Sequence, residues 1–417
     1  MAAIFDDAYN KLAAVLAVKL YKNLPLLAHT RQQASDKVFQ SIGANGVTML
    51  YALPDYGKPG TGGTLNPAQL VYKAGTVPLT LHQYNIPFTA GDLGNDTDIS
   101  GSVREANEIL DKKLMVEAPL AAHLASDIQR RCANIAMASA GGAVVASAND
   151  TWAGFSLAAS MIQATYAAGE LFGVMGPILR GMSAHGAANQ FNPVSDISKM
   201  WRESAIERYA KTDWYETPDV SMLETGDVDL TDANWTLTAT YDPAVGTLAI
   251  ANSDTTIAGT VKAGTIVNVD GVTQVDVFGE DTTIPFAFVV QEDATITAGA
   301  GTLKVQVVYD PTDSGALCSV NAYPASGASV VSELEPSKKY LRAIVWDKAG
   351  IGTGFGRKAP IKGADNFKFE SGERGLWFYG AYMGDIWNSA NIWRLDVLTG
   401  SVVTRPNWVC TVLVPIS

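Results

Sequence analysis

The sequence is poor in charged residues, cysteine and histidine, and each shortage narrows what the chain can be. Charged residues make up 17% of its 417 residues, below the roughly 25% usual in soluble domains, so much of the surface suits contact with another protein chain. The three cysteines are far apart and odd in number, which argues against a disulfide framework and for a reducing compartment. The four histidines have no second ligand at metal spacing, so we expect no metal site and no cofactor.

Motifs of catalysis are also lacking. Glycines alternate between positions 350 and 356 and precede Arg357 and Lys358, but their spacing matches neither the phosphate-binding loop of nucleoside triphosphatases nor the dinucleotide-binding motif. A loop with a basic tip is the better interpretation. The sequence has no nucleophile-elbow serine motif and no zinc-protease motif, so we predict that the chain is not an enzyme.

Membrane segments and an excess of basic residues are lacking too. One long uncharged run, Cys132 to Asn149, consists largely of Ala, Gly and Ser, which is typical of a packed helix rather than of a membrane span. Asp6 and Asp7 stand where a secretory leader would be basic. The net charge of −12 opposes a sequence-reading nucleic-acid binder, which needs a basic face for the phosphates.

The acidic residues are concentrated in one segment. From Gly226 to Glu335 the sequence holds 15 Asp and Glu but only two basic residues, Lys262 and Lys304, so its net charge is −13 while the whole chain carries −12. The segment is also rich in Val, Thr and Gly and poor in helix formers. The simplest account is a nearly neutral host domain interrupted by an acidic β domain.

Short alternating stretches within this segment predict strands. They are separated by turn signals such as Asp242-Pro243 and Asp270-Gly271, and their even spacing is typical of a small barrel or sandwich. We expect the domain to be removable by deletion of residues 227–335 without loss of the host fold.

Two segments near the N-terminus have distinct patterns. Apolar residues at helical spacing predict a helix within residues 2–22. Residues 50–95 are rich in Gly and Pro, and they predict two strands joined by a flexible tip. An excursion of this length fits poorly inside a compact domain, so we expect it to lie on a neighbouring subunit.

Two helices are predicted before the insertion. A capping box at Ser102 and Glu105 precedes apolar residues at three- and four-residue steps, which predict a long helix that ends at Ser139. Pro119 should bend it. A shorter helix is predicted over residues 153–172.

Two stretches of the host segments resemble the major capsid proteins of tailed phages. Residues 204–226, SAIERYAKTDWYETPDVSMLETG, are similar to a strand and turn of those proteins, and residues 384–414 are similar to their final strands. In the second stretch, the strand Leu395-Asp396-Val397-Leu398 is expected to turn through Gly400 and re-enter at Arg405-Pro406. The β insertion is similar to the inserted domain of the P-22-type podophage coat proteins.

This resemblance implies an α+β, Hong Kong 97-type capsid fold with an N-arm, an extended loop, a long spine helix, an axial domain and an inserted all-β barrel-like domain. The expected segments are an N-terminal arm (1–49), the extended loop (50–97), a peripheral domain with the spine helix (98–149), the axial domain (150–226 and 336–400), the inserted acidic β domain (227–335) and a closing strand (401–417).

The resemblance implies a structural major capsid protein that self-assembles, as hexamers and pentamers, into an icosahedral shell around double-stranded DNA. Its expected partners are further copies of the chain, a scaffolding protein, a portal protein, packaged DNA by non-specific proximity and a possible decoration protein, with no membrane. The expected location is the virion, after assembly in the bacterial host cytoplasm. Candidate contacts between subunits are Lys58, Tyr72, Lys73, Asp242, Arg357 and Lys358.

Two alternatives remain open at the level of sequence. An encapsulin-like cage of the same fold would hold enzyme cargo instead of DNA. A monomeric β-rich binding or adhesive protein would account for the nine Trp and the acidic β segment, but not for the long helix.

Overall fold

The structure is a computed structural model, and it describes only part of the chain. The described residues are 25–39, 45–52, 74–80, 82–89, 123–167, 169–190, 208–232, 234–277, 279–308, 319–358, 362, 365–370, 377–385 and 390–416. The predicted helix within residues 2–22, the tip of the excursion, and the predicted capping box and Pro119 bend of the long helix lie outside these residues.

The described chain contains four helices and 23 strands. The helices are α1 (Pro25–Ala28), α2 (123–138), α3 (Thr151–Ala164) and α4 (Pro177–Gln190), and a 3-10 helix spans Pro406–Trp408. The strands are β1 (Arg31–Phe39), β2 (Asn45–Ala52), β3 (Ala74–Thr80), β4 (His82–Thr89), β5 (Gly142–Val145), β6 (Leu171–Met175), β7 (Arg208–Tyr209), β8 (Thr212–Glu216), β9 (Leu223–Glu224), β10 (Trp235–Leu237), β11 (Thr247–Asn252), β12 (Gly259–Val261), β13 (Ile266–Val275), β14 (Asp281–Val289), β15 (Ala294–Ile296), β16 (Ala300–Lys304), β17 (Val330–Val331), β18 (Lys339–Asp347), β19 (Ile351–Lys358), β20 (Asp365–Glu370), β21 (Trp377–Asp385), β22 (Ala390–Val403) and β23 (Val409–Pro415).

The second predicted helix is shorter than expected. Asp150 caps the start of α3, because its carboxylate accepts a hydrogen bond from Ala153 N at 3.1 Å. The helix ends at Ala164, since the Thr165 hydroxyl donates to Ile162 O at 2.7 Å and Tyr166 adopts a φ of 58°. The last two residues of the predicted helix, Leu171 and Phe172, begin the buried strand β6 instead.

Two compact units make up the chain, and the first contains residues 1–49, 78–132 and 352–402. Its six-stranded sheet has the order β1-β19-β22-β21-β20, and β4 also pairs with β22. The β4–β22 pairing is antiparallel, with His82 opposite Thr399 and Thr89 opposite Ile392. Part of the predicted excursion, residues 82–89, therefore pairs with residues 384–414, the closing run, whose sequence was compared above with final strands.

The closing run differs from the expectation at Gly400. Strand β22 continues through Gly400 to Val403, so the chain does not turn there. It breaks before Pro406, which begins the 3-10 helix, because proline has no N–H with which to continue a strand ladder.

The second unit contains residues 50–77, 133–351 and 403–417. Its seven-stranded sheet has the order β5-β23-β18-β6-β8-β7, and β9 also pairs with β18. Helix α3 packs on β23, β5 and β18. Trp152, Phe155 and Trp214 lie in the core between the helix and the sheet, where Trp152 Nε1 donates to Ser183 O at 2.7 Å.

The insertion extends from β10 to β17 within this second unit, and it has a core of its own. Its buried apolar side chains include Trp235, Leu248, Phe286, Phe288 and Leu303. The described strands form three small sheets, β10-β11-β16, β12-β15 and β14-β13-β17, joined by isolated bridges. The prediction of short strands is confirmed, but in the described residues the sheets do not join into one continuous barrel.

One predicted turn in the insertion is wrong. Strand β13 runs through Asp270-Gly271 without reversing. Its register against β14 shifts between Asn268 and Thr273, and Gly271 has a φ of 78°, so the pair marks a bulge, where glycine accepts a conformation that other residues avoid.

The chain enters and leaves the insertion at adjacent points of the host sheet. Ser337 N donates to Gly226 O at 2.7 Å, and the Thr225 hydroxyl donates to Glu335 O at 2.7 Å. The insertion is therefore a long excursion between the neighbouring strands β9 and β18.

Candidate functional site

The predicted contact residue Asp242 lies in a turn between the strands β10 and β11 of the insertion. Its carboxylate is exposed and accepts a hydrogen bond from Ala244 N at 2.9 Å, while its carbonyl accepts one from Gly246 N at 2.9 Å. Val245 and Val307 are 57% and 42% exposed, and Val307 lies beside Gly246. The turn thus presents one carboxylate next to two apolar side chains, which suits contact with another protein.

Of the other predicted contact residues, two lie in a strand and three lie outside the described residues. Arg357 and Lys358 end strand β19, where they pair with Val38 and Phe39 of β1. The prediction of a loop with a basic tip is therefore wrong for these two residues, since they belong to a sheet. Three candidates, Lys58, Tyr72 and Lys73, lie outside the described residues.

The carboxylates of the insertion are organised by turns. Those described are exposed, except for the half-buried Asp276. Several accept hydrogen bonds from a residue two positions later: Asp229 from Thr231, Asp232 from Asn234, Asp254 from Thr256 and Asp281 from Thr283. A short side chain that captures the backbone N–H two residues on is the usual way in which aspartate stabilises a turn.

These hydrogen bonds favour the ionised form of the aspartates. The side-chain and backbone groups of Thr256 lower the pKa of Asp254, and those of Thr260 lower the pKa of Asp227. The pKa of Asp281 is lowered chiefly by the Thr273 hydroxyl, at 2.6 Å. Much of the acidity that distinguishes the segment therefore stabilises its loops.

The two basic residues of the insertion each contact a neighbouring carboxylate. Lys262 Nζ lies 2.8 Å from Asp293 and Lys304 Nζ lies 2.6 Å from Glu292. The Lys262 ammonium lowers the pKa of Asp293. The surface that the insertion offers to a partner is consequently acidic, with its lysines already engaged.

The helical layer of the second unit has an uncharged exposed face that sequence reasoning missed. Helix α3 contains no charged residue, and Leu157 on it is 53% exposed. Ile178, at the start of α4, is 64% exposed. The sequence does contain an indication of this face, because residues 151–169 form an uncharged run that is longer than the run from Cys132 to Asn149.

A further exposed apolar side chain lies where the chain approaches the insertion. Met222 is 54% exposed. Arg342 of β18 holds this segment, since its Nε donates to Ser221 O at 2.7 Å and its Nη2 donates to the Ser221 hydroxyl and to Met222 O. Burial lowers the pKa of Arg342 to about 10, which leaves it cationic at neutral pH.

Groups suited to metal binding do not converge in the described residues. No set of three His, Cys, Asp or Glu lies close enough there to hold a metal ion. Burial raises the pKa of the Cys132 and Cys410 thiols to about 12, so they are protonated at neutral pH, whereas a nucleophilic cysteine needs its thiolate. No helix within the described ranges is long and apolar enough to cross a membrane.

Comparison with known proteins gives matches among solved structures alone. No family model matches the chain, and no curated protein does either. The capsid of Ralstonia phage GP4 matches at 10% identity and a TM-score of 0.42, covering 94% of this chain and 88% of that one. The capsid of the cyanophage P-SCSP1u matches at 9% identity and a TM-score of 0.37, covering 93% and 87%.

A third structure, the virus-like particle from Pyrococcus furiosus, matches at 8% identity and a TM-score of 0.37, covering 96% of this chain and 97% of that one. Scores of this size do not establish a shared fold, so the function has to be argued from the residues of the chain itself.

Proposed function

We propose that the chain is the major capsid protein of a tailed bacteriophage, a structural protein that self-assembles into an icosahedral shell around double-stranded DNA and catalyses no reaction. The observation that carries this proposal is the position of the closing run, residues 384–414, whose sequence resembles the final strands of such proteins. It supplies an interior strand to the main sheet of each unit.

Strand β22 lies inside the six-stranded sheet, where β19, β21 and β4 pair with it. Strand β23 lies inside the seven-stranded sheet, between β5 and β18. A closing run that completes two sheets gives both a rigid framework, and rigid frameworks suit a protein whose role is mechanical. The second resembling stretch supports the same interpretation, since its residues 212–216 form β8 and are followed by a turn.

The exposed surface is suited to contact between copies. The uncharged face of α3, the exposed Ile178 and the apolar turn beside Asp242 resemble the charge-depleted centres of protein interfaces. In this proposal the axial domain, residues 150–226 and 336–400, contacts its copies within hexamers and pentamers. The part of residues 50–97 that contains Lys58, Tyr72 and Lys73 lies across the neighbouring subunit, while β4 stays paired with β22 of its own chain. Asp242, Arg357 and Lys358 make further contacts.

The proposal also specifies the remaining arrangement. The acidic insertion, residues 227–335, faces outward, because a net negative domain on the inner wall would repel packaged DNA. The N-terminal arm, residues 1–49, receives the scaffolding protein, and a portal protein and a possible decoration protein complete the particle. Assembly takes place in the bacterial cytoplasm and the protein then resides in the virion.

Electron microscopy of the purified protein, with and without a co-expressed scaffolding protein, tests the proposal. Closed shells tens of nanometres across are expected, and double-stranded DNA in shells from infected cells supports the capsid role over a cage for enzyme cargo. A monodisperse 44.2 kDa monomer under every condition, scaffold included, would refute the proposal and favour a monomeric β-rich binding protein.

A further inference from the structure

Glutamine side chains of the insertion cap the end of helix α2. Gln291, just after β14, donates from Nε2 to Ala138 O at 2.6 Å. Gln306, just after β16, donates from Nε2 to Ala140 O at 3.1 Å. The last carbonyls of a helix have no partner within the helix itself, so Gln291 satisfies the carbonyl of Ala138 at the helix end, while Gln306 satisfies that of Ala140 just beyond it.

A third glutamine continues this arrangement one residue further. Gln274 of β13 donates from Nε2 to Gly141 O at 3.0 Å. The backbone of Ala287, in β14, donates to the same oxygen at 2.9 Å. Gln274 and Ala140 are fully or almost fully buried, so water does not compete for these bonds.

Gln306 is the most fully engaged of the three. Its Oε1 accepts a hydrogen bond from Val289 N at 2.5 Å, and its Nε2 donates to Ala287 O at 2.7 Å as well as to Ala140 O. Every hydrogen-bonding group of this buried amide is therefore used. The side chain connects β14 to the end of α2 in a single geometry.

The closing run also makes hydrogen bonds to the insertion. Asn407, in the 3-10 helix before β23, donates from Nδ2 to Val275 O at 2.8 Å and to Ser319 O at 2.9 Å. Asn407 is 7% exposed. The insertion thus binds both the end of α2 and the turn that precedes β23, an interior strand of the host sheet.

Apolar packing joins the same two parts. Ile266, Ala287 and Val289 of the insertion share a buried cluster with side chains of the host, including Tyr340 and Leu413. The opposite face of β14 packs into the insertion's own core through Phe286 and Phe288. The second half of β14, residues 286–289, is therefore buried on both faces, one against the host and one against the core of the insertion.

We infer that the insertion and the host sheet of the second unit fold as one cooperative unit, held by a polar junction that consists of Gln274, Gln291, Gln306, Asn407 and the carbonyls of residues 138–141. Loss of the insertion would remove these donors and would also expose the host side chains that pack against it, such as Tyr340 and Leu413, to water, which is unfavourable in proportion to the apolar area exposed. This replaces the expectation that residues 227–335 can be deleted without loss of the host fold.

Hydrogen exchange of the unassembled full-length chain tests the inference. In Gln306→Met, which keeps the length of the side chain but removes the amide, we expect the amides of β5 and β23 to exchange about tenfold faster or more, because about 1.4 kcal/mol corresponds to a factor of ten. The amides of β11 in the insertion should accelerate by the same factor. Faster exchange in the insertion alone, with β5 and β23 unchanged, would overturn the inference.

Gln163→Met is the matched control, since Gln163 is exposed on α3 and takes part in none of the hydrogen bonds of the junction. It should leave all of these rates unchanged, and an equal acceleration in this variant would mean that the effect does not come from the junction.

A second variant covers the case in which Gln306→Met does not fold. Leu248→Ala weakens the core of the insertion without touching the junction. A cooperative unit should respond with one unfolding transition and equal acceleration in β11 and β23. Two separate transitions, or protection of β23 that is unaffected, would show an independent insertion. Because the measurements use unassembled chains, their outcome does not depend on whether the protein forms shells.

Discussion

Gly154 and Gly181 both lie in helices, yet an added methyl group would meet very different surroundings. A Cβ at Gly154 would overlap the Cβ of Ala146, whereas no atom of the described residues lies within 4 Å of a Cβ at Gly181. We expect Gly154→Ala to lower the free energy of unfolding by about 1–3 kcal/mol through overpacking. Gly181→Ala should raise it by about 0.5–1 kcal/mol, since alanine restricts the unfolded chain and favours a helix. Urea denaturation of the two variants measures both values, and a gain in stability from both would contradict the packing of α3.

Gln129 is a buried polar residue, and the spacing of apolar residues does not predict its burial. The side chain is fully buried in α2, and neither atom of its amide has a hydrogen-bond partner among the described residues. We expect Gln129→Met to raise the free energy of unfolding by about 1–3 kcal/mol, because it removes an unsatisfied polar group and keeps the volume. Denaturation of the unassembled chain provides the measurement. A loss of stability would mean that the amide has a partner after all.

The spacing of apolar residues in α2 did predict which neighbouring positions are buried. Leu124, Ile128 and Cys132 recur at four-residue steps and are all buried, as the periodicity of an amphipathic helix requires. Ala125 and Gln129 are buried as well, so the buried stripe is wider than the apolar residues alone indicate. The width depends on tertiary packing, which local spacing does not record.

At the scale of elements, the turns of the insertion should make its stability depend on pH. The folded state holds the pKa of Asp254 below its ordinary value of 3.8. Its stabilising contribution is therefore complete well above pH 3.8, and it is lost as the pH falls through that value to the lower pKa of the folded state. Asp227, Asp281 and Asp293 have shifts of the same direction, so acidification should weaken the insertion.

Asp254→Asn isolates one of these contributions. Asparagine keeps an acceptor for Thr256 N but carries no charge, so the variant should lose less stability than the unchanged protein between pH 7 and pH 3. Thr256→Ser, which keeps the hydroxyl donor, should retain the original pH dependence. The midpoint of urea unfolding at several pH values gives the comparison, and identical curves for all three proteins would show that this turn does not respond to pH.

The elements differ in how far their sequence determines them. Strands of the insertion were predictable, because alternation and turn residues act over a few positions. The reversal predicted at Asp270-Gly271 was wrong, since an aspartate–glycine pair suits a bulge as well as a turn, and the pairing of β13 with β14 decides between them. The glutamines of the polar junction gave no signal, because their partners are distant in sequence and any surface glutamine looks the same.

At the scale of the whole molecule, the proposed function predicts that a charge on the exposed face of α3 prevents assembly. Leu157→Asp places a carboxylate at a position that is 53% exposed, so the single chain should still fold. The same charge becomes costly when another copy covers it. We expect at least a tenfold loss of shells in sedimentation analysis, with an unchanged circular dichroism spectrum.

Ala239→Asp adds an equal charge at an exposed position of the insertion and serves as the control for that experiment. It should assemble normally. Equal yields of shells from Leu157→Asp and Ala239→Asp would mean that the face of α3 remains open to solvent in the particle, while the capsid role itself would be unaffected.

The place of β23 between β5 and β18 bears on how the protein is made. Residues 409–415 are translated after every other described strand, and until they leave the ribosome the sheet remains in two parts with unpaired edges. Exposed strand edges of incomplete sheets are prone to aggregation. The second unit therefore stays unfinished until residues 409–415 have been made, so chaperones that hold ribosome-bound chains should determine how much of the protein reaches the folded state.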